Sequence, residues 1–158
     1  MGNAGAGKST LATRLAREHG LAHLDLDTLA WATTTPPTRA ALADSVAPLE
    51  AFVAAHAGWV IEGCYADLLA VAAGRATVLV FLDPGVDACL ANCRARPWEP
   101  HKYPSHAAQD ANLPMLLDWV RAYETRGDEF SRAAHRALFD GFAGDKRKLV
   151  TLDDAAEL

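Results

Sequence analysis

Two periodicities alternate along this 158-residue chain. Short apolar runs at residues 21–26, 59–62, 77–82 and 148–152 have the length of strands. Helical spacing fills the intervals. Leu11, Ala12 and Leu15 share a face over residues 9–19, and Gly20 stops that helix. Leu42, Val46, Leu49, Phe52 and Val53 do the same over about 38–56, where Pro48 kinks or divides the stretch. Further helices are expected at 86–94, after the Asp83-Pro84-Gly85 turn, and at 113–123 and 129–142, with Asp145 leading into the last strand. Strands separated by helices imply a parallel α/β sheet. Two segments break the pattern. Thr33-Thr34-Thr35-Pro36-Pro37 is a turn cluster, and residues 96–104 hold three prolines among nine, which makes a loop. A loop over a binding site often works as a lid, and residues 95–112 are assigned that role.

The chain opens on Gly2-Asn3-Ala4-Gly5-Ala6-Gly7-Lys8-Ser9, a full match to the Walker A pattern G-x-x-x-x-G-K-[ST]. Glycines allow backbone conformations that turn successive N–H groups toward phosphate oxygens. The expected cradle comprises Gly2, Asn3, Ala4, Gly5, Ala6, Gly7, Lys8, Ser9 and Thr10. Lys8 supplies a compact positive charge, the Ser9 hydroxyl is a Mg²⁺ ligand, and the helix N-terminus adds partial positive charge. Such a loop normally follows a buried central strand, whereas only Met1 precedes Gly2 here. The expectation is therefore an upstream apolar strand in the natural product, or a sequence cut short.

Composition bounds the class. Hydrophobic residues make up 51% and charged residues 22%, so one globular domain over 1–158 is expected. A net charge of −5 opposes a nucleic-acid partner or an anionic membrane surface. There is no apolar run of membrane-spanning length and no signal-peptide pattern. The three cysteines, Cys64, Cys89 and Cys93, fit a reducing cytoplasmic location. Cys89 and Cys93 share a helix face. They read as small core thiols, although with His101 and His106 a zinc site can be drawn.

Candidate chemistry collects at strand ends. Asp25 and Asp27 alternate off the second strand toward the crevice that holds the phosphate loop. Two carboxylates there can hold a Mg²⁺ water shell and orient a hydroxyl, with Asp25 the metal-side group. Asp27 is also a candidate cap for a helix starting near Thr28. Glu62 ends the third strand as the acid beside the metal, in competition with Asp83, whose Pro-Gly sequel favours a turn or cap. Arg94, Arg96, Lys102, Arg126, Arg132 and Arg136 are the cations of the second half. Of these, Arg96 by the lid and Arg126 at a helix start are expected over the transferring phosphoryl group. The 146–148 basic run reads as exposed. His23 reads as a core or site-edge residue, and Trp31 and Trp98 as possible pocket walls.

Residues 2–31, GNAGAGKSTLATRLAREHGLAHLDLDTLAW, resemble the opening of small P-loop kinases, especially shikimate kinases and nucleoside monophosphate kinases. The D-x-D of Asp25 and Asp27 is similar to the shikimate kinase pair that binds Mg²⁺ and substrate. GWVIEGCY resembles the adenylate kinase strand followed by D-G, with Glu62 at the aspartate. Arg96-Pro97 resembles the shikimate kinase lid arginine, and Arg126 the post-lid phosphate-gripping arginine of adenylate kinases. The chain also resembles the adenylate-kinase-related topology modulation proteins. These resemblances imply a three-layer α/β/α P-loop NTPase fold, ATP with Mg²⁺, and transfer of the γ-phosphate to a small-molecule hydroxyl or a nucleoside monophosphate. Lys8, Asp27, Arg96 and Arg126 would then be catalytic, with Ser9, Asp25 and Glu62 on the metal. Residues 33–56 and the lid would wall the acceptor. The Gly-Gly-Gly turn and R-x-P-x-Y of shikimate kinases are missing, as is the T-G-D-x-x-R of adenylate kinases, so neither acceptor is implied in particular. The rival reading is a nucleotide-binding regulatory ATPase without an acceptor.

Overall fold

The computed structural model describes residues 1–34, 38–100 and 102–155. Among them, helix α1 (Lys8–His19) leads to strand β1 (Ala22–Asp25), the short helix α2 (Asp27–Ala30) and a two-residue hairpin, β2 (Trp31–Ala32) with β3 (Thr38–Arg39). Then follow α3 (Leu42–Ala55), β4 (Trp59–Glu62), α4 (Ala66–Ala73), β5 (Val78–Leu82) and α5 (Val86–Ala95). The chain closes with α6 (His106–Arg121), α7 (Arg132–Gly141) and β6 (Asp145–Leu149), with single 3₁₀ turns at Ala122–Glu124 and Asp153–Ala155.

The molecule is a mixed α/β protein with parallel strand pairs. β1 pairs with β4, Asp25 opposite Glu62, and β5 pairs with β6, Leu82 opposite Leu149. Met1 and Gly2 run beside β5 in the same direction. The Met1 nitrogen donates to the Val80 carbonyl at 2.8 Å, and Leu82 N–H donates to the Met1 carbonyl at 2.9 Å. The alternation along β5 places two cores. Leu79 and Phe81 join Leu26, Leu49, Leu68 and Phe130 in one, while Val80 and Leu82 face Leu11, Leu90, Cys93 and Val120 in the other. A strand covered on both faces must be apolar throughout, as VLVFL is.

Several sequence expectations need correction. The last strand starts at Asp145 rather than near 148, so Lys146, Arg147 and Lys148 lie inside it. Its four leading residues are exposed, because β6 pairs with β5 alone; lysines on such an edge discourage further strand addition. Helix α6 starts at His106, seven residues before the apolar periodicity, since the Ser105 hydroxyl accepts from Ala108 N–H at 3.1 Å and caps it. The expected lid thus shrinks to the loop 96–105, with the rest helical. α7 likewise starts at Arg132, capped by Ser131. The expected long helix gives up Thr38 and Arg39 to the hairpin and runs through Pro48 undivided. His23 is exposed, not core. The 33–37 turn is described only at Thr33 and Thr34, and His101 also lies outside the described residues. No helix among the described residues is long and apolar enough to cross a membrane.

Candidate functional site

The phosphate-loop motif forms a turn held by its own atoms. Gly5 and Gly7 take φ of 78° and 96°, values that a side chain disfavours. A Cβ on Gly5 would also collide with the Cys89 carbonyl and lie 2.8 Å from Cys93 Sγ. The small thiols of α5 therefore let the loop lie flat against that helix. Buried Asn3 ties the loop down, its amide donating to Val120 O at 3.1 Å and its Oδ1 accepting from Ala4 N–H at 2.8 Å. Asn92 donates to Gly5 O at 2.8 Å, and Lys8 Nζ donates to Asn3 O at 2.9 Å. Helix α1 has no side-chain cap. Leu11 N–H is the one that reaches back to Gly7 O, so the amides of Lys8, Ser9 and Thr10 have no acceptor within the helix.

This loop borders a cavity of about 720 Å³. Gly5, Gly7, Lys8, Ser9 and Thr10 line it, and Asp25 and Glu62 come from the ends of β1 and β4. Asp27, expected to alternate off the strand with Asp25, comes instead from the first turn of α2, because Leu26 already leaves the extended conformation. Arg96, Glu99 and Lys102 enter from the loop 96–105. An apolar wall of Trp31, Tyr65, Met115, Trp119 and Phe130 completes it. Among the described residues of 33–56 none lines the cavity; the expected acceptor region lies outside it, and α4's leading turn with α6 takes its place.

The two aspartates divide their roles. Asp25 Oδ1 accepts Asp27 N–H at 2.9 Å, so Asp25, not Asp27, makes the capping contact. Asp27 instead joins a chain across the cavity: Trp31 Nε1–H donates to Tyr65 Oη, Tyr65 O–H donates to Asp27 Oδ1, both at 2.7 Å, and Lys102 donates to Asp27 Oδ2 at 3.0 Å. Burial works against the charged form of Asp27, yet Lys102 and the Tyr65 hydroxyl outweigh it and hold the carboxyl below its usual range. Burial, then the charges of Asp27 and Glu62, push Asp25 the other way. Glu62 is 5% exposed, and its Oε1 has no hydrogen-bond partner. A buried carboxylate oxygen left open at a cavity wall is a place for a cation or its water shell.

Not every expected residue arrives. Arg126 is absent from the cavity lining. It pairs with Asp128 at 2.7 Å and stacks on the far side of the wall, 3.7 Å from the Trp119 ring centroid. Arg96 does line the cavity, paired with Glu99 at 3.1 Å. Asp83 does not, and is 8% exposed between Arg132 at 2.7 Å and Lys148 at 3.1 Å, where it ties α7 to the sheet. Trp98 packs on His106 rather than lining the cavity. Cys89 and Cys93 are buried and free, and no three His, Cys, Asp or Glu among the described residues converge to hold a metal directly. The pocket roles of Tyr65, Trp119 and Phe130 escaped the sequence reading; Tyr65 stands three positions after Glu62, one step beyond the strand end that had been noticed.

Behind the wall, fully buried His135 joins α7 to the turn after β4. Its Nε2 lies 2.9 Å from the Cys64 carbonyl, which can only accept, so the proton sits on Nε2 and Nδ1 accepts from Tyr123 O–H at 2.7 Å. Compared with known proteins, the chain matches no protein-family model and no curated protein.

Proposed function

We propose that this protein is a P-loop phosphotransferase that moves the γ-phosphate of ATP to a small-molecule acceptor with Mg²⁺. The observation that carries the reading is the cavity itself. An uncapped helix N-terminus, a glycine turn and Lys8 share a space of about 720 Å³ with the strand-end carboxylates Asp25 and Glu62 and with Asp27 at the start of α2. A nucleotide-holding module without chemistry needs only the first of these walls. The placement of Met1 and Gly2 beside β5, and of helices against both faces of that strand, further supports a three-layer P-loop architecture.

In this reading the amides of Lys8, Ser9 and Thr10, together with Lys8 Nζ, take the phosphates of ATP, and Lys8 exchanges its bond to Asn3 O for phosphate oxygen. The all-oxygen set of the Ser9 hydroxyl, Asp25 and the unpartnered Glu62 Oε1 suits Mg²⁺, reached through water. Mg²⁺ would supply charge neutralisation on the phosphates. Asp27, kept anionic, orients the acceptor hydroxyl. As the new acceptor O–P bond forms, the bond between the γ-phosphorus and the β–γ bridging oxygen breaks. The hydroxyl proton passes to Asp27, and ADP leaves. Arg96 is a lid cation that would exchange Glu99 for the transferring group, while Arg126, held by Asp128 behind Trp119, does not reach the cavity.

The test is ADP release from Mg·ATP across a panel of hydroxyl and monophosphate acceptors. Stimulation by one compound, abolished in Lys8→Met, is the expected result. Slow release indifferent to every acceptor, from protein that binds ATP, would overturn the kinase reading in favour of a regulatory ATPase.

A further inference from the structure

The geometry points to an acceptor that is an uncharged alcohol carrying a flat ring, a nucleoside rather than a nucleoside monophosphate or a hydroxy acid. This rests on the phosphotransferase reading and chooses among its acceptors. Three observations carry it.

The first is charge. Lys102 is the cation paired with Asp27, and it already faces three carboxylates: Asp27 at 3.0 Å, Asp25 at 3.9 Å and Glu99 at 3.9 Å. Glu62 adds a fourth, buried and with one oxygen unpartnered. Like charges brought together in a partly desolvated cavity repel, more strongly than in bulk water. An acceptor phosphate or carboxylate would meet that repulsion where ATP has already added negative charge.

The second is the engagement of the arginines that could have received an anion. Arg39 lies behind the wall, on Asp67 at 3.0 Å and Glu129 at 3.9 Å, with Tyr65 under its guanidinium. Arg126 is held by Asp128 behind Trp119. Neither lines the cavity; Arg96 does, and its guanidinium is already engaged by Glu99 at 3.1 Å, the carboxylate that Lys102 also faces.

The third is the wall. Trp119 and Phe130 pack edge to face with centroids 4.8 Å apart, and Trp31, 39% exposed, donates its Nε1–H to the Tyr65 hydroxyl that holds Asp27. Rigid aromatic faces beside a hydroxyl-orienting carboxylate suit a ring that stacks while its sugar hydroxyl reaches Asp27.

Calorimetric titration of Mg·ADP first checks the nucleotide reading; loss of binding in wild-type protein overturns that reading and this one with it. With binding established, ADP release is measured with the four nucleosides, their 5′-monophosphates, shikimate and gluconate. At least one nucleoside is expected to raise release about tenfold, with the anionic compounds within about twofold of the basal rate. Trp31→Ala should raise the nucleoside KM about tenfold with kcat nearly kept, and Trp31→Phe should restore most of it. A monophosphate or hydroxy acid that stimulates as well as the nucleosides overturns the proposal. So does a panel in which nothing stimulates while Mg·ADP still binds.

Discussion

The two ends of the cavity are built in opposite ways. The glycine-loop end, proposed here for phosphate, is backbone: eight consecutive residues whose glycines set a turn, fastened by Asn3 and Asn92. The end proposed for the acceptor is side chain: Asp25, Asp27, Glu62, Tyr65, Lys102 and Trp119 come from four stretches spread over 95 positions of the chain. A site made of amides and one lysine has little to titrate. A site made of carboxylates facing one ammonium changes character with pH, salt and substitution. The same fold thus carries a rigid half and a tunable half, and each can be broken separately.

The largest effect is expected from Lys8→Met. Loss of this charge should lower kcat by roughly 10²–10³, the range for removing a single donor to developing charge. Thermal stability should barely move, because the lysine's one bond is to a loop carbonyl that Ala6 N–H also reaches. Steady-state kinetics beside a melting curve check both halves of that statement. Gly5→Ala should show the converse. A positive φ on a residue with a side chain costs about 1–3 kcal/mol, and the new methyl meets the Cys89 carbonyl, a backbone atom that cannot swing away. A fall in melting temperature together with lost Mg·ATP binding is expected; unchanged binding would mean that the turn is not what presents the amides.

Sequence patterning reached the rigid half and missed much of the tunable one for a physical reason. A contiguous glycine turn announces itself, because the residue types needed are adjacent. So do helices with a repeating apolar face, and Trp59–Glu62 falls where the apolar run places it. The basic stretch 146–148 is exposed as expected but belongs to the last strand rather than preceding it, because an edge strand can be charged wherever it faces water and apolar periodicity is silent there. Lys102 was one of six cations, and nothing local distinguished it. Its importance comes from Asp27, 75 positions away in sequence. Arg126 was chosen for its position before a helix, yet Asp128 two residues on claims it locally.

His135 supports the tunable half and gives it a pH limit. Burial pushes its pKa from 6.5 down to about 4, so the folded protein keeps it neutral where the unfolded chain would protonate it. Between those values the unfolded state binds more protons, so this contribution is complete above pH 6.5 and is lost as pH falls toward 4. The loss amounts to about 3 kcal/mol. Urea unfolding of wild type and His135→Gln between pH 5 and 8 should converge as pH falls. Parallel curves would mean that the ring is not buried neutral.

The smallest effect, and the sharpest for the comparison, belongs to Lys102→Ala. Its pair with Asp27 is partly exposed, 27% against 41%, so stability should fall by no more than about 1 kcal/mol and less in salt. The chemistry should respond more than the fold. Lys102 opposes the burial of Asp27 and keeps its carboxyl low; without the ammonium, burial is opposed only by the Tyr65 hydroxyl and the charge of Lys8, so the carboxyl rises. The acid limb of the pH–rate profile should therefore move to higher pH while the Mg·ATP affinity, set at the other end of the cavity, stays within about twofold. The removed lysine also vacates Asp27 Oδ2, the oxygen an acceptor hydroxyl must reach, so the acceptor KM should fall even as the rate at low pH declines. A variant whose ATP affinity changes as much as its acceptor KM would show that the two ends are coupled through the lid. One in which neither moves would show that Lys102 rests on Asp27 without bearing on the transfer.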